Sequence, residues 1–176
     1  MRALYRAILV AATAGIAGIT GVVAAQGSET GAADQQPSAV EDFSYPGAAK
    51  ILTDDNVQLI SGDGHIVYAQ CPSGQDTVGV IQVTTTELVG SSHNGHVCFK
   101  VLGTSGELTL KIPAVYSIRS DGLSPTGQGH KLKASLTTDA GVHSNVDIPS
   151  YGTTQVGVGA DPSGNPTTLL ELVATS

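Results

Sequence analysis

The sequence contains no tryptophan, one methionine and two cysteines, and only 13% of its 176 residues are charged. So little charge disfavours coiled coils and long amphipathic helices. Lysine and arginine number eight against fifteen aspartates and glutamates, a net charge of −7. Nucleic-acid binding draws its affinity from clustered cations that displace counterions, so an acidic chain with scattered cations excludes nucleic acid as a partner class. Aromatics make up 4%, which leaves few flat rings for sugar faces to stack on. What is abundant is glycine, at 22 residues, within a chain that is 40% hydrophobic. That fraction is too high for a disordered chain and suits one small strand-rich domain.

The front of the chain has the order of a secretory signal. Arg2 and Arg6 precede an uncharged Ala/Ile/Val/Gly/Thr run from Ala7 to Val23 that closes on the small residues Ala24 and Ala25. This predicts a signal peptide over 1–25 with cleavage after Ala25, a protein released to the extracellular side and no membrane association afterwards. The competing reading, an uncleaved anchor, is disfavoured because the run is only weakly apolar. Loss of Arg2 and Arg6 makes the remainder more acidic still. Residues 26–42 hold almost no large apolar side chain and predict a flexible polar leader, or a spacer from the cell wall, before a folded domain over 43–176.

Within that domain the period is two. A short helix is expected first, because Ala48, Ile51 and Leu52 fall at helical spacing behind Pro46. Val57–Ile60 and His65–Gln70 flank Ser61-Gly62-Asp63-Gly64, which predicts a tight hairpin. Later alternations run through Thr77–Thr86, Val97–Val101, Leu108–Ile112, Lys131–Leu136, Val142–Ile148, Thr154–Val158 and Leu170–Ala174, separated by Gly/Pro/Asn/Asp/Ser clusters. About eight or nine short strands of this kind, without a βαβ rhythm, predict an all-β fold: a single antiparallel β-sandwich, immunoglobulin-like or jelly-roll-like, behind a short N-terminal helix. Two separate sheets are expected. Cys71 and Cys98 are the sole cysteines of an exported chain and are expected to form one disulfide between neighbouring strands. Immunoglobulin homology does not follow, since the tryptophan that packs on such a bridge is missing.

Groups able to do chemistry are dispersed. His93 and His96 lie three apart in a glycine-rich turn with no carboxylate beside them, so no metal or other cofactor is expected. The Asp63-Gly64 pair lacks the further ligands of a calcium loop and reads as a turn. No Gly-x-Ser-x-Gly elbow occurs, and catalytic residues stay unassigned. Asp63, His65, His93, His96 and Asp121 are the first candidates for a loop-borne hydrolytic site, with His130 and His143 isolated. Tyr68, Tyr116 and Tyr151 are the candidate ligand-contact residues if the domain binds a glycan.

The segments FSYPGAAKIL, NVQLISGDGHI, VCFKVLGTSGELTLKIPAVYSIRSD and TTLLELVAT together resemble a family of small secreted proteins of streptomycetes and related actinobacteria. The resemblance spans roughly 43–176. It implies export and a shared domain, and carries over no catalytic residue, ligand or partner. The expected function is a secreted, disulfide-bridged, non-enzymatic binding or structural module with an extracellular or cell-wall partner; the alternative is a small secreted hydrolase with a loop-borne His/Asp site. A protease inhibitor ranks below both, because no disulfide-braced reactive loop is present.

Overall fold

The computed structural model describes residues 43–73, 79–124 and 127–176. The expected signal peptide and leader lie outside the described residues, as do Gly74, Thr77, Val78, Pro125 and Thr126 of the turns and strands named above. In chain order the elements are α1 (Ala48–Asp55), β1 (Gln58–Gly62), β2 (Ile66–Ala69), β3 (Ile81–Thr85), β4 (His96–Val101), β5 (Ser105–Arg119), β6 (Lys131–Thr138), β7 (His143–Ile148), β8 (Thr153–Gln155), a single 3₁₀ turn over Gly157–Gly159, and β9 (Thr167–Thr175). The fold is all-β and sandwich-like, with its strands antiparallel.

Helix α1 is short for local reasons. It starts behind Gly47 at φ 74° and stops at Asn56 at φ 55°, whose N–H caps the Leu52 carbonyl. Asparagine tolerates this left-handed stop better than most residues. Ala48 and Ile51 pack on the core while Leu52 stays exposed.

The expected tight hairpin is absent. The 61–64 turn forms, but β1 pairs with β5 and β2 pairs with β4, so the two strands part company. The Asp63 N–H donates to the Glu107 carbonyl at 3.2 Å, which pins the turn to β5 and sends β2 into the other layer. The expected strand through Val158 also ends early, at Gln155, because Gly157 takes φ 51° and opens the 3₁₀ turn.

The two layers are not separate sheets. The order β2-β4-β3-β5-β9-β6-β7 is continuous, and β1 and β8 also pair with β5. Strand β5 is 15 residues long, and each of its edges serves two strands in succession. On one edge β1 lies against Leu108–Lys111 and β3 against Val115–Arg119; on the other, β9 lies against Ser105–Val115 and β8 against Ser117–Arg119. The handover falls at Pro113-Ala114. Proline has no ladder N–H, and Ala114 takes φ 52°, so the register slips and the strand turns a corner between layers. The Pro113 carbonyl is not lost, for the Thr85 hydroxyl donates to it at 2.5 Å.

One hydrophobic cluster fills the space between the layers. Leu59, Leu108, Leu110, Leu132, Leu136, Ile148, Leu169 and Leu172 face Ile66, Ile81, Val83, Val97, Phe99 and Ile118, all buried. Burying each such side chain is worth about 1.5–3 kcal/mol, and strict alternation along β6 shows how it is achieved: Leu132, Ala134 and Leu136 point inward, Lys131 and Lys133 outward.

Cys71 and Cys98 are bonded, with Cα atoms 5.1 Å apart, and join the chain just after β2 to its neighbour β4. They close a loop of 27 positions, for which chain entropy gives about 3.5 kcal/mol of stabilisation. Replacing both cysteines by serine is therefore expected to lower stability by about 2–4 kcal/mol in urea unfolding at unchanged fold. An unchanged midpoint would show that the bridge restrains nothing.

Candidate functional site

Sequence placed the possible acid–base groups in loops; the structure sorts them. Asp63 and His65 meet inside the turn between β1 and β2. One Asp63 oxygen accepts the His65 N–H at 2.9 Å and the other lies 3.2 Å from the ring Nδ1, both side chains exposed. Burial works to raise the Asp63 carboxyl, but hydrogen bonds from the His65 and Glu107 backbone, followed by the His65 ring, leave it below the usual carboxylate range. His93 sits exposed in the loop at φ 48°, whereas His96 begins β4 and its Nδ1 lies 3.3 Å from the Gln82 amide nitrogen. The pair that looked like one loop site is thus split between a loop and a strand. His143 stands exposed on β7.

The pairing that sequence missed is Asp121 with His130. One Asp121 oxygen accepts the His130 N–H at 2.7 Å and the other lies 2.6 Å from Nδ1, while Nε2 donates to the Gly103 carbonyl at 2.9 Å. Asp121 is 9% exposed and the His130 side chain 19%. Both ring nitrogens are therefore committed. Asp121 also takes the Gly79 N–H on its own carbonyl. Asp121 and His130 together tie the end of β5 to the start of β6, and His130 in turn reaches the β4–β5 turn through Gly103. The only sequence signal was an aspartate in a Ser-Asp-Gly turn with a histidine nine residues on, a separation with no local meaning.

The two Asp–His pairs flank the same turn. A Cβ on Gly103 would lie 3.9 Å from the His65 ring, and His130 approaches the Gly103 carbonyl from elsewhere. Among the described residues no serine, threonine or cysteine donates to either ring, and no three His, Cys, Asp or Glu side chains converge as a metal site.

The tyrosines do not share a platform. Tyr68 lies on β2, edge-on to Phe99 with ring centroids 6.1 Å apart. Its N–H donates to the Tyr45 hydroxyl at 2.6 Å. Burial, and after it the charge of Asp55, pushes its own phenol above the usual tyrosine range. Tyr116 is half-buried on β5, three strand positions from β2, a separation of about 14 Å. Tyr151 is 39% exposed and bridges to Gly122.

Concave surface lies elsewhere. A trough of about 610 Å³ crosses the outer face of β6, β7 and β9, lined by Val173 and Pro149 and rimmed by Lys131, Lys133, Asp147 and Thr175. Lys133 and Asp147 stand 4.0 Å apart across it. A smaller cleft of about 410 Å³ holds Gly103, Thr104, Gln128, His130 and Ser176.

Two measurements follow. Asp121→Ala strips the acceptors from the His130 backbone N–H and from its ring Nδ1 and is expected to cost about 3 kcal/mol in thermal or urea unfolding, with Asp121→Asn recovering part through the remaining carbonyl oxygen. For Tyr68 the folded phenol titrates above its unfolded value of 10.0. The stabilisation is complete below pH 10 and is lost as pH rises beyond it. Absorbance titration near 295 nm should show one late phenol in the folded protein, absent in Tyr68→Phe, whose melting temperature should fall less steeply above pH 10.

No protein-family model matches the chain, and no curated protein matches it either.

Proposed function

We propose that the chain is an exported, disulfide-bridged binding module that acts outside the cell or on the cell wall, and that it is not a hydrolase. The observation that carries this reading is the trough on β6, β7 and β9. It offers an apolar floor with two lysines and one carboxylate at its rim, on strands joined by the β6–β7 and β6–β9 ladders at one end of the sheet. Small-molecule and glycan sites have this build: concave, mostly apolar, with few polar groups to fix orientation. Lys131 and Lys133 are also the one adjacent cation pair of the domain, so an anionic or acidic polymer suits the rim.

Support against catalysis comes from what the histidines already do. His130 commits one ring nitrogen to the Asp121 carboxylate and the other to the Gly103 carbonyl, and a base with no free nitrogen takes no proton from a substrate. His65 is oriented by Asp63 yet lies open to solvent. The disulfide fits an oxidising compartment, and among the described residues no helix is long and apolar enough to cross a membrane. The resemblance to secreted actinobacterial proteins supports the same placement.

The test has two arms. Purified protein should co-sediment with isolated actinobacterial cell walls, and Lys131→Glu/Lys133→Glu should weaken that at least about tenfold at unchanged melting temperature. A broad screen of peptide, ester, glycoside and phosphate substrates should show no turnover; activity that drops about a hundredfold in His65→Gln or His130→Gln would replace this reading with the hydrolase.

A further inference from the structure

The outer face of the other layer carries a second arrangement that none of the candidates above includes. Arg119 ends β5 half-buried, and its Nε–H is buried without a hydrogen-bond partner. A buried donor left unmade bears its full desolvation cost, and in native structures such a group has a reason, an absent ion among them. The lack of a partner is also odd electrostatically. The chain has fifteen carboxylates, and those at 54, 63, 121 and 147 pair with Lys50, His65, His130 and Lys133. Among the described residues none comes to Arg119.

The strand registers show what surrounds it. Gln82 and Thr153 stand directly across from Arg119 on either side, and Cys98 lies beyond Gln82. Two residues along each strand, hence on the same face, the next row reads His96, Thr84, Ser117, Gln155. Directly opposed side chains have Cβ atoms about 5 Å apart, within reach of a guanidinium or amide. Neither row contains an acid. Every polar member is a cation or a neutral group able to donate, and Lys100 stands on the same face two residues past Cys98. Gln82 meets His96 at 3.3 Å; with its amide donating one hydrogen to Nδ1, the second remains for a ligand. Thr84 and Ser117 are 8% and 7% exposed, so the floor of the patch is sunken while Thr153 and Gln155 at its edge are open.

We infer that this face is an oxyanion site: Arg119 takes a carboxylate or phosphate group through its guanidinium fork, with Gln82 and Thr153 as flanking donors. A guanidinium is built for two parallel bonds to such a group, and a sunken setting that is acid-free among the described residues, in an acidic protein, leaves an incoming anion as its counter-charge. The inference is independent of the trough on β6, β7 and β9, which lies in the other layer.

Arginine itself supplies the probe. The chain has three arginines, at 2, 6 and 119, so selective ¹⁵N-arginine labelling of the full chain gives three Nε–H signals, and Arg119→Lys identifies the one of interest. Inorganic phosphate, acetate and glucuronate are titrated separately against sodium chloride at matched ionic strength. The expected result is a saturable shift of the Arg119 signal with at least one oxyanion and none with chloride. Saturation by phosphate alone assigns phosphate esters, and saturation by acetate and glucuronate assigns carboxylates; either outcome supports the site. Arg119→Lys, which keeps the charge and loses the fork, should bind at least about tenfold more weakly by calorimetry. Should that variant fold poorly, Thr153→Val at the open edge should still weaken binding about threefold at unchanged melting temperature. A shift that follows ionic strength equally in chloride and phosphate, or full affinity in Thr153→Val together with Arg119→Lys, would overturn the proposal.

Discussion

Pro113 cannot donate to a ladder, and Ala114 holds a left-handed backbone that costs an L-residue about 1–2 kcal/mol. β5 contains both at its middle and still runs for 15 residues. The sheet gains from this interruption. Before it, β5 belongs with β1 and β9; after it, with β3 and β8, and the turn at the corner lets one strand serve two layers. The Thr85 hydroxyl on the Pro113 carbonyl and the Thr86 N–H on the Ala114 carbonyl hold the corner in place. Without it the inward faces of the two layers could not close on one cluster.

The corner also decides where functional groups stand. Arg119 follows it by five residues, and its face and its neighbours Gln82 and Thr153 are set by the register that β5 adopts on leaving Ala114. Ser120 and Asp121 continue from there into the turn, where Asp121 gathers His130 and the Gly79 N–H. On the opposite side the trough depends on the regular ladder of β6 with β7 and β9, which the first half of β5 anchors. The two surfaces thus share one strand and nothing else.

Much of the scaffold was legible in the sequence. Alternation at Leu108–Ile112 and at Lys131–Leu136 places inward and outward side chains correctly, and two cysteines allow one intramolecular bridge, the one that forms. These are local signals or matters of count. What escaped was set by distant partners. Nothing local says that β5 continues past Pro113, a residue that ordinarily argues a strand's end. A Gly-Asp-Gly turn between two apolar runs reads as a hairpin, yet β1 and β2 find better partners in β5 and β4. Asp121 and His130 are joined through a turn, and the Arg119 row assembles residues from four strands at positions 82, 98, 119 and 153. Registers of this kind are tertiary facts, invisible to a window of ten residues.

The place of β9 has a kinetic side. It lies between β5 and β6, so the layer that holds the trough is in two pieces until residues 167–175 are available. The pairings of β9 with β5 reach back as far as Ser105, and such long closures slow folding because their entropy is lost before contacts form. A growing chain of this design has no stable partial sheet to rest in on that side. Strands β2, β3 and β4 pair without β9, so the face that carries Arg119 and the Cys71–Cys98 bridge can close early, while the trough is the last surface of the described fold to take shape.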